Sequence, residues 1–233
     1  MNSSITPKLP DLPRWVEARS LLLEGAGEIF GLQEEPDLSL SLRDPEARTI
    51  FVIGRPDEDA IDAALEKNGR RGEVIAPYEQ AAWLANILSG WTSACISVYR
   101  LPDLHRLPEL PNGAVHFLDP AVISQLAIEA ELRAELSSGA AGSVIAASFV
   151  EQQPVSFCYA GAITESLWDV SIDTVPAHRR KGNAALCATY MIHYMHALGK
   201  RPVWQALEDN PASWRLAEKL GFIPADKLVL FTR

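Results

Sequence analysis

The sequence is short of cysteine, of basic charge and of long apolar runs, and each shortage argues against a class of protein. Cys95, Cys158 and Cys187 are the three cysteines of 233 residues, and no two form a CxxC pair. An odd, scattered set fits a reducing compartment and fits neither a disulfide framework nor a zinc knuckle. No stretch approaches the about 20 apolar residues that a membrane helix needs. The opening segment, MNSSITPKLPDLPRW, has no apolar h-region and is broken by Pro7, Pro10 and Pro13. No signal peptide is therefore expected, and the chain reads as soluble and cytoplasmic. Bases are outnumbered, 21 Lys and Arg against 30 Asp and Glu, for a net charge of −9. That balance argues against a global grip on nucleic acid or on an anionic membrane. No internal repeat and no low-complexity tract stands out.

What is present is enough apolar residue, 48% of the chain, to bury sizeable cores. The charge is unevenly divided. Residues 1–110 hold 18 acids and 11 bases, net −7, and residues 111–233 hold 12 and 10, net −2. The clearest boundary is LPDLHRLPELPNG, residues 101–113, with Pro102, Pro108, Pro111 and an Asn-Gly turn signal. Proline blocks both helix and central strand, so this segment reads as a linker. Two domains are expected, a small α/β domain over 1–110 and a second over 111–233.

In the first part, strands are expected at 49–54, 73–77 and 92–100. Helices are expected over PDEDAIDAALEKNG and YEQAAWLANILSGW. The first of these helices has acids at its start and Lys67 and Gly69 near its end, as the macrodipole and C-cap rules require. Gly25-Ala26-Gly27 follows a helical-looking stretch and lacks the third glycine of a nucleotide loop. After the linker come a strand at 114–119, one or two helices, and strands at 143–150 and 155–162. Glu151 to Pro154 join those strands as a hairpin. A strand at 167–175 places Trp168, Val170, Ile172 and Thr174 on one face and Asp169, Ser171 and Asp173 on the other. A long helix over 184–198 carries an apolar stripe of Ala184, Ala188, Met191, Met195 and Leu198. A strand at 202–208 follows. NPASWRLAEKLG then reads as a helix with Asn210 as N-cap, Pro211 at its first position and Gly221 as C-cap. The last residues are strand-like.

The chemistry concentrates in DVSIDTV-PAHRRKGNA-ALCATYMIHYM, a strand, a basic turn and a helix. A turn that opens a helix leaves backbone N–H groups unpaired, and they and the dipole favour an anion there. Gly182 has no Cβ to block the approach, and Asn183 and Ala184 keep it open. Arg179, Arg180 and Lys181 add cationic donors. Each charge-assisted hydrogen bond contributes about 1.5–3 kcal/mol, against about 0.3–1 kcal/mol from the dipole alone. A basic, solvated helix entrance is the other reading of the same residues. His193 and His196 share a helix face near His178 in sequence, but no acidic ligand is spaced to complete a set, so no metal site is expected.

VPAHRRKGNA resembles the pyrophosphate-binding signature of the GNAT N-acetyltransferase superfamily, with Arg179, Gly182 and Ala184 filling its fixed positions in order. NPASWRLAEKLGF resembles the family's second motif through Asn210, Ser213, Lys219, Gly221 and Phe222. The resemblance covers about residues 112–233, and more loosely extends to a bacterial branch with an extra N-terminal domain. It implies a mixed α/β fold binding acetyl-CoA where two parallel strands, 167–175 and 202–207, splay apart. Pyrophosphate would lie on the turn from Arg180 to Ala184, and the pantetheine arm against strand amides near Asp173, Thr174 and Val175. Asn210 and Ser213 would touch the cofactor, although Asn210 is also a good helix cap. An amine, from a small molecule or a lysine side chain, would attack the thioester directly. Asp169 is the first candidate base and Glu165, at the turn into the strand, the second. The family's usual tyrosine acid is replaced by Ala217. That departure leaves a second reading, a non-catalytic CoA-binding regulator. The N-terminal domain is expected to wall the acceptor groove or form a homodimer contact.

Overall fold

A computed structural model describes residues 6–233, and residues 1–5 of the proline-broken opening segment lie outside them. The chain divides into two compact units. One holds the chain up to Tyr99 with Gln205–Trp214 and Pro224–Arg233, and the other holds Arg100–Trp204 with Arg215–Ile223.

In the first unit, α1 (Val16–Glu24) stops at Gly25, whose left-handed φ of 71° closes the helix. The glycine pair is thus a helix end. Strands β1 (Glu28–Gln33), β2 (Ser39–Asp44) and β3 (Thr49–Ile53) then form an antiparallel meander. Helix α2 (Glu58–Lys67) carries Glu58 and Asp59 in its first turn and Lys67 in its last. It buries Ala60, Ile61, Ala64 and Leu65, a stripe at helical spacing. Strand β4 (Glu73–Pro77) returns parallel to β3. Helix α3 (Ala81–Ile87) and β5 (Thr92–Arg100) follow. Ile50, Val52, Ile61, Leu65, Val74 and Leu84 centre the core.

The elements β1 and β2 are absent from the expectations above. The sequence SLSLRD alternates polar and apolar residues, yet Ser39, Ser41 and Arg43 are all buried. Arg43 is tolerated there because its guanidinium donates to Asn68 Oδ1 at 2.6 Å and to Glu28 Oε2 at 2.8 Å.

The second unit opens with the loop 101–114 and the short strand β6 (Val115–Phe117). A 3₁₀ turn and α4 (Ala130–Gly142) lead to β7 (Ala146–Val150) and β8 (Gln153–Ile163). Glu151 and Gln152 turn that hairpin with φ of 50° and 66°, the left-handed pair of a type I′ turn. Strand β9 (Leu167–Thr174) runs antiparallel to β8. Helix α5 (Asn183–Ala197) and β10 (Arg201–Leu207), parallel to β9, come next. The buried side chains of α5 include Ala188, Met191, Ile192 and Met195. Leu198 does not belong to that stripe. It follows the helix and is 56% exposed. A second core gathers Leu118, Ile123, Leu136, Ala147, Phe157 and Tyr159.

Helix α6 (Pro211–Lys219) begins where Asn210 Oδ1 accepts the Ser213 N–H at 3.2 Å, the expected cap. Strand β11 (Ile223–Thr232) then pairs antiparallel with β4, Leu228 opposite Pro77 and Thr232 opposite Glu73. The last strand therefore completes the sheet of the first unit.

A repeat that no sequence identity announces exists in the topology. Three antiparallel strands, a helix, a strand parallel to the third, and a helix and strand describe β1 to β5. The same words describe β7 to β11.

On α1, Glu17 accepts from Gln205 Nε2 at 2.7 Å. Burial, with repulsion from Glu73, pushes its carboxyl up to about 7. A raised carboxyl stabilises the fold fully below its unfolded pKa, near 4.5, and that contribution is lost as pH rises through about 7. Glu17→Gln, which keeps an acceptor for Gln205, should match wild type in urea unfolding at pH 4. At pH 8 it should exceed wild type by on the order of 2 kcal/mol. An equal difference at both pH values would refute the assignment.

Candidate active site

The second unit is organised around β9. Its edge toward β8 is paired along its length, from Ile163 opposite Trp168 to Ser156 opposite Thr174, with an irregularity between Ala160 and Ile163. The parallel register with β10 covers only its start, Leu167 to Asp169 opposite Arg201 to Val203. Alternate residues of a strand send their N–H groups to opposite edges. Val175 donates its N–H to Val155 O at 2.9 Å, toward β8. The amide of Val175 is therefore committed, and those of Thr174 and Ile172 face the other edge.

The turn after β9 brings Arg179, Arg180, Lys181, Gly182, Asn183 and Ala184 together at the start of α5. Several of its donors hold the turn itself. Arg179 Nε donates to Thr174 O at 3.0 Å, Lys181 Nζ to Ala177 O at 2.9 Å, and Asn183 Nδ2 to His178 O at 3.2 Å. Arg180 is held at φ 60°, and Gly182, as N-cap, at φ 90°. Among the described residues no side chain caps this helix, so its first amides keep their donors available. A Cβ on Gly182 would meet nothing within 4 Å, so the glycine fronts open space.

Beside the end of β9 lies a groove of about 610 Å³. Asp173, Thr174, Val175 and Arg179 wall one side, and Glu131, Leu132 and Glu135 of α4 wall another. Burial raises the Asp173 carboxyl, partly opposed by Arg179. Burial also raises Glu135, with Asp173 and Glu131 adding repulsion. Tyr159, hydrogen-bonded to Ser171, is pushed up to about 12 by burial and by Asp173, and so stays a phenol at neutral pH. Its ring reaches α4 only because position 139 is glycine. A Cβ there would lie 2.6 Å from Tyr159 Cδ2.

The two carboxylates singled out in the sequence sit apart from the groove. Asp169 is half-buried on the face it shares with Ser171, and Gly161 leaves room for both side chains. Glu165 is exposed in the turn before β9, its carbonyl bound by Lys200 Nζ at 3.0 Å. Ala217, at the position of the missing acid, is fully buried. Asn210 and Ser213 belong to the first unit. Glu135 and Tyr159 went unmarked in the sequence because nothing near them in the chain signals a site. Among the described residues no three His, Cys, Asp or Glu side chains are grouped to hold a metal ion, and no helix is long and apolar enough to cross a membrane.

The sequence profile of the GNAT acetyltransferases matches residues 137–231. Over these residues the chain is similar to the GNAT acetyltransferases. No curated protein sequence matches the chain. Among solved structures, the GNAT fold recurs over almost the whole chain. A GCN5-related N-acetyltransferase-like protein from Streptococcus suis shares 18% identity over 99% of this chain and 96% of its own, with a TM-score of 0.70. A GCN5-related N-acetyltransferase from Kribbella flavida shares 17% over 91% and 93%, TM-score 0.59. A tandem GNAT protein from the clavulanic acid biosynthesis pathway shares 16% over 94% and 87%, TM-score 0.57. At such identities the likeness is of fold. Family and fold together support acyl transfer, and the GNAT family draws its acyl group from acetyl-CoA.

The Gly139 contact yields a prediction. Alanine is the better helix former by about 0.8–1.0 kcal/mol. Overpacking against a ring that is 9% exposed costs about 1–3 kcal/mol, so the clash should win. Gly139→Ala should lower the stability of the full chain to urea, and a more stable variant would contradict the packing described.

Proposed function

We propose that the chain is an acetyl-CoA-dependent N-acetyltransferase that moves an acetyl group to a primary amine by direct attack. The observation that carries this reading is the uncapped start of α5 behind Gly182, set at the end of a strand whose second edge is paired only at its start. An anion on the first amides of α5 accepts several N–H bonds at once, and Arg180 and the remaining donors of Arg179 and Lys181 add charge-assisted bonds. The diphosphate of acetyl-CoA has that chemistry. The pantetheine arm then runs back along β9, where Thr174 and Ile172 offer their N–H groups. One of these amides polarises the thioester carbonyl and stabilises the oxyanion.

The amine must lose a proton before it attacks. Asp169 is the proposed acceptor, with Glu165 behind it. A second assignment has its own support, because Glu135 lines the groove and burial raises its carboxyl toward the range useful in a base. The acid-rich groove favours a cationic acceptor, a small amine or a lysine side chain. With Ala217 at the tyrosine's position, a thiol of ordinary pKa, near ~8.5, leaves unaided or takes its proton from water or from a group such as Ser213. The first unit carries the same topology without the loop. After β3 the chain reads Gly54-Arg55-Pro56-Asp57, and α2 opens on Glu58 and Asp59, which repel an anion. One acyl-CoA per chain is the consequence. The proposed role of the segment 1–110 is to support the acceptor side or a homodimer contact.

Free thiol released from acetyl-CoA in the presence of a panel of amines measures the activity. Asp169→Asn should lower kcat by about 10²–10⁴-fold while CoA affinity is kept. The same loss in Glu135→Gln, with Asp169→Asn active, would move the base to the groove. Gly182→Trp should abolish all CoA binding by titration calorimetry. Residual binding at one site per chain would refute the placement of the diphosphate.

A further inference from the structure

We propose that Ser156 is a positioning residue for the acyl-CoA arm, which clamps the end of β9 and sets the Thr174 hydroxyl as a hydrogen-bond acceptor. The inference rests on the acyl-CoA reading above and adds to it a residue from β8 that neither motif contains.

Proton accounting carries the argument. A serine hydroxyl has one hydrogen to donate and lone pairs to accept with. Ser156 is fully buried, and its Oγ lies 2.9 Å from Asp173 O and 2.8 Å from Thr174 Oγ1. A carbonyl only accepts, so the Ser156 hydrogen goes to Asp173. The contact with Thr174 is then donated by Thr174. Behind Ser156, the Cys187 thiol of α5 donates to Ser156 O at 3.2 Å. Burial pushes that thiol up to about 11, so it keeps its proton at neutral pH. In front, Arg179 Nε donates to Thr174 O at 3.0 Å.

The bonds form one directed chain, from α5 through β8 to the last two residues of β9. Its consequence is chemical as well as mechanical. The hydrogen of the Thr174 hydroxyl is committed to Ser156, so Oγ1 has only lone pairs left to offer, on a half-buried residue that lines the groove. Such a position receives an N–H. The pantetheine arm carries two amide N–H groups, and Thr174 stands on the segment along which that arm is proposed to run. Without Ser156 the hydroxyl is free to rotate, and both its polarity and the strand end are released.

The test is calorimetric titration of the full chain with CoA, alongside steady-state kinetics with acetyl-CoA. Ser156→Ala and Thr174→Val should each raise Kd and KM by about three- to tenfold, the worth of one hydrogen bond, a larger effect than on kcat. Thr174→Ser, which keeps the hydroxyl, should bind within about twofold of wild type. The double variant Ser156→Ala, Thr174→Val should bind no more weakly than the weaker single variant, because both break one chain. Wild-type affinity in Thr174→Val overturns the proposal even if Ser156→Ala fails to fold, and so do losses that multiply in the double variant. A wild-type chain that does not bind CoA overturns the acyl-CoA reading and the clamp together, whereas unchanged variants of a binding wild type overturn the clamp alone.

Discussion

The second unit depends on one constraint, that the end of β9 must satisfy its backbone with a strand on one edge only. The parallel register with β10 covers Leu167 to Asp169, and β9 continues to Thr174. Carbonyls that a neighbouring strand would have taken need other donors. Arg179 supplies one to the Thr174 carbonyl, and Ser156 adds a donor to the Asp173 carbonyl, which faces β8. Those side chains are placed by β8 and by the turn, so the hairpin, the strand end and the basic loop form one construction. Its remaining backbone donors, the N–H groups of Thr174 and Ile172 and the first amides of α5, all belong to the same short stretch of chain.

The first unit shows that topology alone does not make such a place. It repeats the order of strands and helices, and α2 follows β3 as α5 follows β9. Its helix start carries Asp57, Glu58 and Asp59 where the other carries Arg180, Lys181 and Gly182. Acids at a helix start stabilise the helix through the dipole but close it to anions. The same position in the repeat thus carries dipole-stabilising acids in one unit and, under the proposed reading, an anion cradle in the other.

Much of this was legible in the sequence where local chemistry punctuates the chain. Strands β4 and β5 are bounded by Gly and Pro or by turn residues, and their residue ranges agree with the structure. Asn210 caps its helix as its residue type implies, and the loop from Arg179 to Ala184 announces itself by composition. Strand β2 escaped because its buried face includes Ser41 and Arg43, whose cost is offset by partners distant in sequence, such as Asn68. Leu198 was misplaced because helical spacing continues past Ala197, while the helix does not. The pairing of β11 with β4 joins residues from the two ends of the chain, and no local signal encodes it. Glu135 lines the groove from α4, Ser156 and Tyr159 pair with the end of β9 from β8, and only the fold brings them there.

The acid-rich groove and the basic turn are of opposite sign, and Arg179 and Asp173 stand where they meet. Arg179 lowers the Asp173 carboxyl against the upward push of burial. An anion on the turn draws on the same guanidinium, which weakens its hold on Asp173 and leaves that carboxyl more readily protonated. A cation in the groove acts the other way and favours the ionised carboxylate. Under the proposed reading each ligand therefore relieves a charge that the other leaves uncompensated. The anion removes the demand on Arg179, and the amine supplies Asp173 with a replacement partner. By reciprocity of coupling, acyl-CoA and amine should each tighten the binding of the other. The effect arises from one pair of side chains at the end of β9 and needs no motion of the fold.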